Sequence, residues 1–202
     1  MPFRLDQIER AIRSHEPHVV SLDGAPARAA VAIVIDSAPE DDLHLFFIHR
    51  AVDERDPWSG HMGFPGGFME DADGDLVATV SREVLEETGI DLRRSARLLG
   101  RLDEIQGVAR GRQLPLVISP FLFALNEPVV PEPNEEVQGV LWVPLGFLAD
   151  PRNEQLTDHQ VATQRLRLPG FVYEQRIIWG LTFRMVQNFL SVIGARATSE
   201  DR

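Results

Sequence analysis

Short apolar runs of strand length alternate along this chain with a few stretches of helical period, and that alternation restricts the fold to a layered α/β or α+β domain. The β-branched run at 29–36 (AAVAIVID) and the run at 43–50 (LHLFFIHR) predict two strands, with an acidic, proline-containing turn between them. Further strands are expected at 98–102, 117–125 and 137–143, and a hairpin from 161–168 and 171–173. Helical period marks three segments. Leu5, Ile8 and Ile12 predict a helix over 4–15; Val77, Val80 and Val84 one over 75–88; Leu181, Met185, Phe189 and Val192 one over 178–193. A short helix is expected at 144–148, and Gly89 suits the left-handed C-terminal cap of the second long helix. Residues 51–74, rich in Gly, Pro and Asp, and the proline-rich stretch 126–134 read as loops.

A length of 202 residues fits one domain: an N-terminal helix and lead-in over 1–28, a core over 29–193, and an unstructured tail over 194–202. No apolar run is long enough to span a bilayer, and the first residues lack the apolar core of a secretion signal. With no cysteine, disulfides and thiolate metal sites are excluded, which points to the cytoplasm. A formal charge of −11 disfavours nucleic acid as a partner. Phosphates remain accessible to such a chain when a bound cation inverts the local charge.

The chemistry concentrates in Arg82-Glu83-Val84-Leu85-Glu86-Glu87-Thr88-Gly89-Ile90. Glu83, Glu86 and Glu87 are three and four residues apart and share one helix face, where like charges repel. Three carboxylates in that arrangement suit Mg²⁺ or Mn²⁺, hard cations that prefer oxygen ligands. The alternative is a solvated acidic face. The preceding Phe64-Pro65-Gly66-Gly67 shifts the balance, because backbone N–H groups at paired glycines can approach a ligand closely. Asp71 to Asp75 looks like the start of an EF-hand loop, but Arg82 stands where the bidentate glutamate belongs, so calcium is not expected there. His44, His49, His61 and His159 show no metal-ligand spacing.

Taken together, these motifs resemble the Nudix box, G-x5-E-x7-R-E-U-x-E-E-x-G-U with U aliphatic. Residues 82–90 match it at every specified position. Gly67 lies one residue further from Arg82 than the pattern sets, and Asp73 is the nearest substitute for the early glutamate, which in the family pairs with the arginine. The extra residue is similar to the coenzyme A pyrophosphohydrolase branch, whose upstream signature runs approximately L-L-T-x-R-[SA]-x3-R-x3-G-x3-F-P-G-G. Here its counterparts are Phe46 to Ala51, then Arg55, Gly60 and Phe64 to Gly67, with Leu-Leu-Thr replaced and one extra residue before Gly60. Ile178 to Thr182, and Glu136-Val137 leading to Val143-Pro144-Leu145, look like the same branch, so the resemblance spans about 29–193.

The resemblance implies an α/β/α Nudix sandwich with a mixed β-sheet and metal-dependent hydrolysis of a diphosphate in a small nucleotide derivative. Glu83, Glu86 and Glu87 would hold Mg²⁺ or Mn²⁺, and Arg82 would brace them. One of these glutamates, or Glu135 or Glu136, would act on the water. Arg50, Arg55, Gly66, Gly67 and Arg110, with Arg112 beside it, would meet substrate phosphates. Coenzyme A or acyl-coenzyme A is the substrate implied; the alternatives are ADP-ribose or NADH, or a silent nucleotide sensor, which the intact glutamates disfavour. Homodimers are common among such enzymes, and no segment names an interface.

Overall fold

The structure, a computed structural model, describes residues 3–24, 26–38, 42–53, 58–109, 111–161 and 164–196. Its core is one mixed sheet. Strand β1 (Ala27–Asp36) lies at the centre, parallel to β7 (Arg112–Leu125) from Ala27↔Leu116 to Ile35↔Ala124. The remaining pairings are antiparallel. On one side β1 meets β2 (His44–Arg50) and β4 (Gly66–Phe68); β2 continues to β3 (Met62–Gly63) and β8 (Val137–Pro144). On the other side β7 carries β5 (Ala96–Arg101) and β6 (Ile105–Ala109).

The period-two alternation of β1 divides the apolar side chains between two layers. Ala30, Ala32 and Val34 pack with Val80 and Val84 of α2 (Leu76–Thr88). Ile33 and Ile35 pack with Phe183, Val186, Phe189 and Leu190 of α5 (Gly180–Val192), and Ile8 and Ile12 of α1 (Leu5–Ser14) join that layer. Helices therefore cover both faces of a mixed sheet, as expected. Two short helices, α3 (Leu92–Ser95) and α4 (Leu145–Ala149), sit at strand ends.

Several elements depart from the sequence reading. The loop over 51–74 contains β3 and β4, too short to carry a periodic signal. Strand β6 was not expected, and β7 begins at Arg112 rather than 117. The hairpin over 161–168 and 171–173 is instead a separate three-stranded sheet of β9 (Glu154–Val161), β10 (Gln164–Tyr173) and β11 (Arg176–Trp179). Pro169-Gly170, which reads as a turn, lies inside β10. A Cβ at Gly170 would come within 2.7 Å of the Ile178 carbonyl oxygen, so the glycine serves close backbone approach. The last helix starts at Gly180 rather than 178 because Ile178 and Trp179 belong to β11. Within the expected tail, Arg196 donates to Glu154 at 2.6 Å and to Gln187 at 2.9 Å, and residues 197–202 lie outside the described residues.

Candidate active site

Helix α2 is built by local signals. The Asp75 carboxylate caps its N-terminus by accepting from the Ala78 N–H at 2.7 Å, and Gly89, at φ 71°, closes it in the left-handed region. With Val80 and Val84 fully buried against the sheet, the rotation of the helix is fixed, and Glu83, Glu86 and Glu87 are carried to one edge, facing the loop around β4.

That loop is shaped for them. Gly66 has φ 145°, and a Cβ there would lie 2.2 Å from the Ala30 carbonyl oxygen. Only glycine fits, and the Gly66 N–H donates to Glu87 Oε2 at 2.8 Å. A Cβ on Gly67 would lie 2.5 to 2.6 Å from the Glu83 carboxylate atoms. The paired glycines thus clear the space in which two of the three carboxylates sit.

Arg82 ties the cluster together. Its guanidinium donates to Asp73 at 3.1 and 2.9 Å, to Glu83 at 2.8 Å, to Glu86 at 3.1 Å and to the Phe68 carbonyl at 3.1 Å. Asp73 therefore occupies the bracing position that the missing early glutamate would fill, and its Arg82 partner holds it well below the usual carboxylate range.

Negative charge outweighs its compensation here. Burial pushes Glu83 above its ordinary pKa, against the pull of Arg82, with Glu86 and Glu136 adding repulsion. Glu87 is buried and is pushed up to about 7, mainly by desolvation; the Gly66 N–H and Arg50, 3.8 Å away, pull it down, while Glu83 and Glu136 push it up. Glu136, from the loop before β8, is close enough to repel the Glu83 and Glu87 carboxylates. Among the described residues no three carboxylates surround a single point: Glu83 and Glu86 turn to Arg82, and Glu87 to Gly66. Still, oxygen-only donors in half-buried, mutually repelling positions fit a hard divalent cation, which would compensate the charge that burial raises at Glu83 and Glu87 and relieve their smaller mutual repulsion.

The cluster borders an apolar cavity of about 530 Å³. Gly66, Gly67 and Arg50 line it together with Trp58, Leu168, Trp179 and Leu181. Trp58 is fixed by donating from Nε1 to the Val108 carbonyl at 3.0 Å. Trp179 forms part of the cavity wall. The β10 part of the wall carries no motif and is revealed only by the tertiary arrangement, whereas the α5 part begins within the Ile178 to Thr182 stretch. Arg50, Gly66 and Gly67 line the same cavity, whereas Arg55 and Arg110 lie outside the described residues. Arg112 is exposed at the start of β7.

A family model for the NUDIX domain matches residues 26–164. The chain belongs to the Nudix family. Nudix hydrolase NudL of Yersinia pestis is 32% identical over 162 residues, covering 80% of this chain and 77% of its own. A protein of Schizosaccharomyces pombe, C14C4.10c, is 34% identical over 152 residues, covering 65% of this chain but 46% of its own. Among solved structures, a MutT/nudix family protein from Enterococcus faecalis superposes over 95% of this chain and 68% of its own (TM-score 0.52, 16% identity). The Ap4A hydrolase of C. elegans covers 59% of this chain and 81% of its own (TM-score 0.50, 17% identity). These two likenesses concern the Nudix fold. As a Nudix hydrolase the chain is a pyrophosphohydrolase, of a family that uses divalent metal ions and acts on small nucleotide derivatives. Among the described residues no helix is long and apolar enough to cross a membrane.

Proposed function

We propose that this Nudix hydrolase cleaves the diphosphate of coenzyme A or an acyl-coenzyme A, giving 3′,5′-ADP and (acyl-)4′-phosphopantetheine. The observation that carries the reading is the junction of the glutamate cluster with a deep apolar cavity at Gly66 and Gly67. A diphosphate at the glutamates would leave one substituent facing that cavity. Among the described residues few polar groups line it, so the methylenes and gem-dimethyl group of a pantetheine arm, and an acyl chain beyond it, find apolar surface there that a second sugar, with hydroxyls on every face, would not use.

In this reading Glu83, Glu86 and Glu87 would hold Mg²⁺ or Mn²⁺, which when bound would supply charge neutralisation at the diphosphate and lower the pKa of a water. Arg82, braced by Asp73, orients Glu83 and Glu86. Arg50 reaches toward a phosphate oxygen from the cavity wall, and the glycine loop allows close approach of the diphosphate. Water oxygen bonds to one phosphorus as the bridging P–O bond breaks; the water's proton passes to one of the cluster's carboxylates or to Glu136.

The test is metal-dependent turnover of coenzyme A, an acyl-coenzyme A, ADP-ribose and NADH, with products separated by chromatography. Formation of 3′,5′-ADP at the highest kcat/KM supports the proposal. Efficient cleavage of ADP-ribose or NADH with poor cleavage of coenzyme A replaces the substrate, and no turnover with ligand-induced thermal stabilisation makes the chain a sensor.

A further inference from the structure

A second cavity, of about 380 Å³, adjoins the first and shares His61, Met62 and Trp179 with it. Its polar lining differs sharply from the acidic balance of the chain. His49, His61, His159 and Arg176 face it, with the amides of Gln160 and Gln175, and among the described residues Asp158 is its one acid. Asp158 is turned in part to Arg167, 3.9 Å away.

The lining is held in place. His159 stacks on the Trp179 indole at 3.7 Å, and its Nε2–H donates to Thr157 Oγ1 at 2.6 Å while that hydroxyl donates to the Leu168 carbonyl. His61 packs against the same indole at 4.7 Å. The Arg176 guanidinium donates to His49 Nδ1, and His49 Nε2–H donates to the Gly60 carbonyl at 3.2 Å. That pattern requires a neutral imidazole, in keeping with the lowering of the His49 pKa by burial and by Arg176. Arg176 thus spends one donor on a neutral partner, and among the described residues no carboxylate pairs with it. It follows a two-residue turn in which Glu174 and Gln175 take φ 46° and 62°, a left-handed conformation that side chains other than glycine and asparagine rarely adopt. The strained turn delivers the uncompensated cation to the cavity rim.

We propose that this side cavity is a subsite for a phosphomonoester carried by the substrate in addition to its diphosphate, with Arg176 as the charged anchor, His49 as its positioning residue, and His61 and His159 as part of the wall. The inference rests on reading the neighbouring glutamate cluster as a nucleotide diphosphatase site. A dianionic phosphate offers acceptors to the remaining Arg176 donors, and a single charge-assisted contact of this kind is worth roughly tenfold in affinity.

The experiment is equilibrium binding by calorimetry with two matched pairs, coenzyme A against dephospho-coenzyme A and NADPH against NADH. Within each pair the members differ by one phosphomonoester. Wild type is expected to bind the phosphorylated member about tenfold more tightly in at least one pair. The gap should close in Arg176→Ala and narrow in His49→Gln, with melting curves confirming that both variants fold. Equal affinities within both pairs, or a gap that survives Arg176→Ala, overturns the subsite. Turnover measured alongside separates the two ideas. A binding gap without hydrolysis of coenzyme A defeats the substrate proposal and leaves the subsite standing; hydrolysis of coenzyme A with no gap does the reverse.

Discussion

Replacing Glu87 with glutamine should stabilise the metal-free protein at alkaline pH while removing its response to metal. Glu87 is 3% exposed, and its pKa rises from an ordinary 4.5 to about 7 on folding. The folded state therefore binds this proton more tightly than the unfolded chain. The associated stability is fully present below pH 4.5 and is lost as pH rises through about 7. A rise of that size corresponds to roughly 3 kcal/mol. At pH 8 the buried charge is uncompensated by this amount, and a neutral amide escapes the cost while its oxygen still accepts from Gly66. The new NH₂ group needs a partner of its own, so the gain is at most about 3 kcal/mol, or a Tm increase of at most about 10 °C for a domain of this size. The assay is thermal unfolding in chelator at pH 5 and pH 8, followed by Mg²⁺ addition at pH 8. Wild type should be less stable at pH 8 than at pH 5 and recover with Mg²⁺; Glu87→Gln should show a flatter pH dependence and little response to the ion. A variant with a lower Tm than wild type at pH 8 in chelator would refute the electrostatic reasoning.

Other substitutions separate the site from the fold. Gly67→Ala pushes on the flexible Glu83 carboxylate rather than on backbone, so Tm should stay within a few degrees while kcat/KM falls by about 100-fold. Gly66→Ala collides with the backbone of β1 and demands a positive φ, so a loss of about 3 kcal/mol or more should appear as a markedly lower Tm. Asp73→Asn weakens the bracing of Arg82; activity should fall by about 10- to 100-fold and be partly rescued by added metal, as measured in a Mg²⁺ titration of the rate.

The parts of the molecule that follow from neighbours in sequence were legible there. The α2 helix declared itself through the valine stripe and Gly89, and the glutamate face follows from helical geometry once that stripe is buried. Gly66 and Gly67 were legible as a close-approach loop, although not that one clears backbone and the other a carboxylate. Asp73 shows the limit from the other side. Spacing alone left its partnership with Arg82 open, because it depends on how the chain between β4 and α2 folds back. Strands β3, β4 and β6 take their conformation from partners distant in sequence rather than from their own two to five residues. The β9–β11 sheet was misread because Pro169 and Gly170 suggest a turn locally, while pairing with β9, and of Gly170 with β11, makes them strand. Both cavities lie under that sheet, so the surfaces most informative about substrate were the least accessible from sequence.

Capture of a divalent cation by the glutamate face is most directly measured by electron paramagnetic resonance of free Mn²⁺ during titration of chelator-treated protein. Wild type should remove at least one equivalent of Mn²⁺ from the free signal, and Glu83→Gln combined with Glu86→Gln should leave that signal at its protein-free intensity. Equal depletion by the wild type and the double variant would place the ion elsewhere and contradict the account.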